Sequence, residues 1–407
     1  MTEAIRILHF ADTHIGMENY GKIDPRSGIS SRVGDFLARM DEAIDYALQH
    51  DADLAVFAGD AFKNRDPEPT QQREFAARIK RLADVMPTLL LVGNHDMPGM
   101  AARASSVDIF HALEVPGVIV GRTPEGQVLE TKRGPLFLAW MPYPQRNRLL
   151  SQEEHGAKSI DELTTALRET VSDILGHLAR QAKRHKMPRL LAAHLSVAEA
   201  RMGSECSVML GKDVTVLSST LADAAWDYVA LGHIHKHQLL NPGGYPPLVY
   251  SGSLERIDFG EEGEEKGFCW VELQQGQTTW QFIPVSARPF KTVEIDVRQA
   301  ENPTKAALSA LKKLQVEDSV VRVCITLRAE QQASLRDQEI RAALSSAAYL
   351  TISHEVESEA RARLGNLSPE ELTPSQLLEQ YFLARDIPAE RLHALLAKAE
   401  ELLRDSS

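Results

Sequence analysis

Residues 5–14 read IRILHFADTH, an apolar run of strand length that passes directly into an aspartate and a histidine two positions apart. The same design recurs four times downstream. Leu54–Ala58 runs into Gly59-Asp60, Thr88–Val92 into Gly93-Asn94-His95-Asp96, Leu190–Ala193 into His194, and Tyr228–Leu231 into Gly232-His233-Ile234-His235. Between the first two runs, Val33, Phe36, Leu37, Met40, Ile44 and Leu48 recur at helical spacing over residues 31–50, and Phe75, Ile79 and Leu82 do so over 69–85. Strands alternating with amphipathic helices predict an α/β layered domain. Sheets of that class bind ligands outside the carboxyl ends of their strands, so the polar residues at five strand ends are expected to converge.

Their chemistry points to metal. Asp12, His14, Asp60, Asn94, His194, His233 and His235 offer carboxylate, amide and imidazole donors and no thiolate, a set that suits manganese, iron or zinc in a reactive site. Gly59, Gly93 and Gly232 are expected to turn the backbone sharply beside them. Seven candidate ligands exceed what one ion takes, whereas two divalent ions sharing Asp60 accommodate them. Such pairs catalyse in-line displacement at phosphorus. Two ions against Asp12 and Asp60 leave a locally cationic centre, able to attract a phosphodiester. His95 stands beside the better oxygen donor Asn94 and is therefore assigned to catalysis, protonating the leaving oxygen, with Asp96 expected to hold its ring. Taken singly, each of these residues reads as a turn or a helix cap. Five strand ends of one kind do not.

Composition sets bounds on the rest. With 57 acidic and 45 basic residues among 407, the net charge of −12 opposes binding to a polyanion except at a locally positive site. The basic stretch Lys183, Arg184, Lys186 and Arg189 reads as a solvated helix end. No apolar run approaches the roughly 18 residues of a membrane span. Three dispersed cysteines, Cys206, Cys269 and Cys324, suggest neither a disulfide framework nor a zinc ribbon, and the N-terminus reads as neither leader nor anchor, so a cytoplasmic protein is expected.

Past Leu231 the texture changes to short strands with Gly and Pro turns, read as a meander or set of hairpins closing a large domain over residues 1–287. Residues 288–358 then follow a β-α-β-α-β pattern of small-domain length. Residues 364–405 carry two amphipathic helices, one opening at Thr373-Pro374-Ser375-Gln376 and one near Asp386 to Pro388. Their apolar stripe, including Leu377, Tyr381, Leu392, Leu395, Leu396 and Leu403, must dock either on this chain or on a partner, and periodicity leaves both open.

The five blocks, Asp-x-His, Gly-Asp, Gly-Asn-His-Asp, His and Gly-His-x-His, resemble the calcineurin-like metallophosphoesterases. The resemblance implies a four-layer α-β-β-α sandwich, with Asp12, His14, Asp60 and His235 around one ion and Asp60, Asn94, His194 and His233 around the other. Within that superfamily, ILHFADTHIG, FAGDAFKNRDPEPT, LVGNHD, YVALGHIH and YSGSLERIDFGEEGEEKGF are most similar to the SbcD family of double-strand-break repair nucleases. That resemblance implies Mn²⁺-dependent exonuclease action on double-stranded DNA ends and endonuclease action on single strands or hairpins. It also implies an α/β capping domain over residues 288–358, an SbcC-type ATPase partner docking on the C-terminal helical pair, and a homodimer. One position departs from the pattern: archaeal and eukaryotic members carry a histidine where this chain has Lys63, which could contact a phosphate or simply face solvent.

Two other readings compete. A calcineurin-like enzyme for small nucleotides or phosphoproteins is disfavoured by Asp96, where the phosphoprotein phosphatases carry glutamate, by the lack of arginine after Asp60, and by the C-terminal architecture. A non-catalytic DNA-tethering scaffold is disfavoured by the completeness of the donor set.

Overall fold

The computed structural model describes residues 3–26, 28–98, 103–145, 160–201, 203, 213–357, 374–383 and 389–404. The chain divides into two compact units, Met1–Phe290 and Lys291–Ser407.

The first unit is built on two six-stranded sheets. In one, β1 (Ile5–Phe10), β2 (Leu54–Phe57), β3 (Thr88–Leu91) and β4 (Val118–Gly121) run parallel in that order. The other contains β5 (Glu125–Thr131), β6 (Gly134–Met141) and β7 (Arg189–His194), while β8 (Ser196–Val197) and β9 (Thr215–Val216) form a small separate ladder. Next to β7 lies β10 (Tyr228–Gly232), followed outward by β12 (Leu248–Tyr250) and β11 (Gln238–Leu239). Strands β6, β7, β10 and β12 are mutually parallel. The expected meander or set of hairpins is present as two antiparallel hairpins, split between the two sheets. β11 and β12 complete the second sheet, whereas β13 (Gly267–Leu273) pairs antiparallel with β1 and β14 (Thr279–Pro284) extends the first sheet. Pairing across the two sheets is a tertiary choice that short strands separated by turns do not announce.

Strict two-residue alternation assigns every central strand two faces. Ile5, Ile7, Leu54, Val56, Leu89 and Leu91 of the first sheet meet Leu136, Leu138, Trp140, Leu190, Ala192, Tyr228 and Ala230 of the second in one buried layer. Leu8, Phe10, Phe57 and Leu90 face instead the helices α1 (Ser31–Gln49), α2 (Pro69–Ala83) and α3 (Asp108–Ala112), which contribute Phe36's neighbours Val33, Leu37 and Met40, then Phe75, Ile79 and Phe110. On the other side Phe137, Ala139, Leu191, Val229 and Leu231 face Leu167, Val171, Leu175 and Leu178 of α4 (Ile160–Ala182), near the short α5 (Ser218–Leu221). Three apolar layers between helices, sheet, sheet and helices make the predicted four-layer sandwich. The sequence reading passed over β4, β5, β6, α3 and α4 among others.

One polar side chain sits inside the middle layer. His9, fully buried, contacts the Tyr228 hydroxyl at 3.1 Å and the Leu231 carbonyl at 3.2 Å, tying β1 to β10. Burial pushes its pKa down to about 3, so it is neutral.

In the second unit, strands β15 (Phe290–Asp296), β16 (Val320–Arg328) and β17 (Tyr349–Glu357) form a sheet in that order, with α6 (Pro303–Leu311) and α7 (Asp337–Ala343) against it. Val321, Val323, Ile325 and Leu327 pack with Ala307, Leu311, Ile340 and Leu344 into a separate core. The helices α8 (Pro374–Leu383) and α9 (Ala389–Arg404) follow. Thr373, Asp386 and Pro388 lie outside the described residues, as do the side chains of Leu377 and Leu403; Cys206 lies outside them too. Leu392 is buried, Leu395 and Leu396 are half-buried, and Tyr381 is half exposed. Among the described residues no helix is long and apolar enough to cross a membrane.

Candidate metal centre

The carboxyl ends of β1, β2 and β3 from one sheet and of β7 and β10 from the other meet at one edge of the sandwich. Past their strand ends, the β1 and β2 loops zip together through Asp12 N–H to the Gly59 carbonyl (3.0 Å), His14 N–H to the Asp60 carbonyl (3.2 Å) and Ile15 N–H to the Ala61 carbonyl (2.9 Å). This close run forces unusual backbone angles. Asp12, His14, Asp60 and His233 have φ of 53°, 39°, 59° and 105°. Non-glycine residues hold such angles at a cost of about 1–3 kcal/mol each, and they persist where surrounding structure dictates them.

The three flanking glycines do not act alike. Gly59 turns, with φ at +105°. Gly93 and Gly232 supply clearance: a Cβ on Gly93 would lie 2.1 Å from Asp60 Oδ1, and one on Gly232 2.3 Å from the Ala58 carbonyl oxygen. The expectation of three sharp turns is corrected to one turn and two close approaches.

All seven predicted donors converge. Asp12, His14 and His235 present one atom each within 4.8 Å of one another, and so do Asp60, His194 and His233. Asp60 Oδ2 lies 3.4 Å from His194 Nε2 and 3.9 Å from His14 Nε2, so a single carboxylate reaches both groups. Asn94 Oδ1 lies 3.0 Å from His194 Nε2 and 2.9 Å from His233 Nδ1. Asp12 accepts the His233 backbone N–H at 3.1 Å, locking β1 to β10 across the two sheets.

Hydrogen bonds on the outer ring nitrogens fix which imidazole nitrogens face inward. His194 Nδ1 donates to the Ala58 carbonyl (2.7 Å), His233 Nε2 to Asp213 (2.8 Å) and His235 Nδ1 to Glu261 (2.9 Å). In their neutral forms all three therefore turn a bare nitrogen to the centre. His194 Nε2, His233 Nδ1 and Asn94 Oδ1 then stand as three acceptors within 3.3 Å of each other. On the other side the His14 and His235 Nε2 atoms face each other at 3.0 Å, and the buried His14 Nδ1 has no hydrogen-bond partner among the described residues. Lone pairs gathered in this way offer a cation several donors at once.

The ionisation pattern agrees. Burial raises the Asp12 carboxyl, while at Asp60 burial is outweighed by the imidazoles of His194, His95 and His14, which hold it well below the usual range. Burial works against the charged form of His194, yet Asp60 and Asp12 raise it to about 9. Burial foremost, then His235, His95 and Lys63, keeps His14 far below the ordinary imidazole value. The centre thus holds a proton where it is most negative, at the place a metal cation suits. Two divalent ions fit the donors present.

His95 and Asp96 sit together at the end of β3 but do different work from that expected of the pair. Asp96 is fully buried and accepts the backbone N–H groups of Asp60, Ala61 and Gly93, each at 3.0 Å. Burial and the Asp60 charge push its carboxyl up to about 7. Its bonds organise the β2 and β3 loops, and none reaches the His95 ring. The assignment of Asp96 as holder of that ring is corrected: His95 Nδ1 donates instead to the Lys63 carbonyl at 2.8 Å. Lys63 thus contributes through its backbone, and its half-buried side chain carries a charge that His14 feels. In the basic stretch past α4, Lys183, Arg184 and Lys186 are exposed, as expected of a solvated helix end, while Arg189 pairs with the buried Asp227.

Sequence reasoning missed the outer partners. Asp213, held near 2 against burial by the bond from His233 and others, also accepts the Tyr143 and Ser196 hydroxyls. Burial works to raise Glu261, but His235 and Lys266 pull it far below the usual range. Only Glu261 and Lys266 carried a signal, since both lie in the stretch from Tyr250 to Phe268 that stood out beyond the metal blocks.

Comparison with known proteins is consistent with this geometry. The family model described as calcineurin-like phosphoesterase matches residues 5–237. The SbcD component of the nuclease SbcCD from Escherichia coli strain K12 is 27% identical over 282 residues, covering 67% of this chain and 66% of that protein, so the match spans just under two thirds of that relative's length. The DNA double-strand break repair protein Mre11 of Thermoplasma acidophilum is 24% identical over 334 residues, covering 81% of this chain and 77% of that protein. The uncharacterized metallophosphoesterase YhaO of Bacillus subtilis strain 168 is 23% identical over 336 residues, covering 81% and 72%.

Proposed function

The chain belongs to the calcineurin-like phosphoesterases, and from that membership we propose that it is a DNA repair nuclease, cutting phosphodiester bonds with two divalent ions, Mn²⁺ by preference. The observation that carries the chemistry is Asp60, one buried carboxylate within reach of both donor groups. Likeness to the SbcD component of SbcCD and to Mre11 supports DNA as the phosphodiester. The proposed activities are 3′–5′ exonuclease action on double-stranded ends and endonuclease action on single strands or hairpins. The proposed setting is the cytoplasm, as a homodimer joined to an SbcC-type ATPase through α8 and α9.

Asp12, His14, Asp60 and His235 would hold one ion, and Asp60, Asn94, His194 and His233 the other. Ions so held supply positive charge to the phosphoryl oxygens and activate the attacking water. The protein's own contribution begins with position. The bonds from Ala58, Asp213 and Glu261 fix three imidazoles before substrate arrives, so no side-chain ordering is left to the reaction. His95 has its Nδ1–H anchored on the Lys63 carbonyl, which leaves Nε2 as the nitrogen for proton transfer. In its protonated form that nitrogen donates its proton to the departing 3′ or 5′ oxygen, and the resulting neutral ring keeps the same anchor.

The direct test offers purified chain with Mn²⁺, alone and with an SbcC-type partner, a DNA duplex, a DNA hairpin and a small bis-aryl phosphodiester. Cleavage of duplex ends and hairpins is expected. Cleavage of the small diester alone under both conditions would sink the DNA reading and leave a small-substrate phosphoesterase. Association with the partner should fall on Leu395→Glu with Leu396→Glu, and undiminished co-purification would rule out docking through α9.

A further inference from the structure

The loop between the short helical turn Phe259–Glu261 and β13 closes on the back of His235. Glu261 uses Oε1 to accept the ring N–H of His235 at 2.9 Å and Oε2 to accept the Ile257 backbone N–H at 2.9 Å. The same Oε2 pairs with Lys266 Nζ at 2.9 Å, and the side chains of Glu261 and Lys266 are both wholly enclosed. Lys266 Nζ also donates to the His235 carbonyl at 3.2 Å and to Glu264 Oε2 at 2.9 Å. All three ammonium protons are therefore engaged.

A buried ammonium is an expensive way to hold a loop, since an apolar side chain of similar size would hold it as well or better. What the ammonium adds is charge. The other carboxylate-backed imidazole offers the contrast: among the described residues, the donors to Asp213 besides His233 are neutral, Tyr143 at 2.8 Å, Ser196, and the Val214 N–H at 2.9 Å. Asp213 acts on its imidazole at full charge, whereas Glu261 acts with a cation on its far oxygen. A carboxylate behind a ligating imidazole strengthens the inward nitrogen as a donor, and a cation on that carboxylate withdraws part of the effect.

We propose that Lys266 sets the cation affinity of the His235 side of the centre through Glu261, as a positioning residue that weakens it. The proposal rests on the reading of the site as a metal centre. It predicts shifts of opposite sign from the two members of one ion pair. Glu261→Gln keeps the shape, removes the anion and leaves Lys266 directed at His235, so Mn²⁺ affinity falls about 10- to 100-fold. Lys266→Met leaves Glu261 and Glu264 uncompensated, so Mn²⁺ affinity rises about three- to tenfold. A role limited to holding the loop would give both variants the same sign.

The experiment is calorimetric Mn²⁺ titration of the full chain, with thermal unfolding of the metal-free forms alongside. Both single variants should unfold at lower temperature, each having a buried charge without its partner. The variant carrying both Glu261→Gln and Lys266→Met removes both charges of the buried pair, leaves only the Glu264 carboxylate beside it, and keeps the side-chain volume. It should bind Mn²⁺ more tightly than Glu261→Gln, and this comparison decides the matter even if Lys266→Met alone does not fold. Weaker or unchanged binding by Lys266→Met, or a double variant no tighter than Glu261→Gln, would overturn the relay while leaving the metal centre intact. Failure of the unaltered chain to take up Mn²⁺ would overturn the metal reading and the relay with it.

Discussion

Strands β2 and β10 each begin behind a buried aspartate and end before the donors of the site, and the two ends treat negative charge in opposite ways. At the amino ends, Asp53 accepts the Arg6 backbone N–H at 2.8 Å and pairs with Arg133 at 2.9 Å, while Asp227 accepts Arg189 N–H at 2.8 Å and the Tyr245 hydroxyl at 2.9 Å. At the carboxyl ends, Asp60 past β2 and Asp12, which lies past β1 and accepts the His233 N–H past β10, are equally buried but have no arginine or lysine bonded to them among the described residues. Four enclosed carboxylates on one scaffold thus divide into two that are neutralised within the fold and two left for something else. An arginine partner completes a structural site. Imidazoles with inward lone pairs leave a site that only an added cation completes.

Asp60→Asn should produce the largest effect if this division is real. The neutral isostere can no longer bridge, so phosphodiester turnover should fall about 10³-fold or more. The thermal stabilisation by Mn²⁺, about 2.7 kcal/mol at a concentration 100 times Kd, should disappear with it. A variant still stabilised by Mn²⁺ would break the comparison. Asp53→Ala tests the opposite end. It should cost about 3 kcal/mol in urea unfolding because Arg133 loses a buried partner, while Mn²⁺ affinity stays unchanged. A loss of metal affinity there would mean that the two ends are not separable. His95→Ala sharpens the division within the carboxyl end itself: turnover should drop about 10²-fold with Mn²⁺ affinity intact, because its role is proton delivery. Loss of an ion on the same substitution would make His95 a ligand, which its distance to His14 and Asp60 permits.

Much of the scaffold was legible because period-two alternation is a local property, and each of the five apolar runs already contains both of its buried faces. The strand Gly134–Met141 escaped for an equally local reason: it ends in Met141-Pro142, and a reading keyed to polar strand ends passes over it. The donors were legible because their chemical types are few. Their tautomers were not, since Ala58, Asp213 and Glu261 become partners only when distant loops close. Asp96 shows the limit most clearly. Adjacency to His95 suggested a ring contact, but its carboxylate turned to three backbone N–H groups that folding alone brought within reach.

The sequence by itself determined the layered α/β class, the strand ends that carry chemistry, and the donor types that make two ions fit. Those follow from side-chain identity and spacing, which act over a few residues. Only the tertiary structure decided which sheet each strand joined, which nitrogen of each histidine faces inward, and that a buried Lys266 stands behind Glu261. Such choices depend on which desolvated polar groups find partners across the fold, and that is settled by packing among segments far apart in the chain.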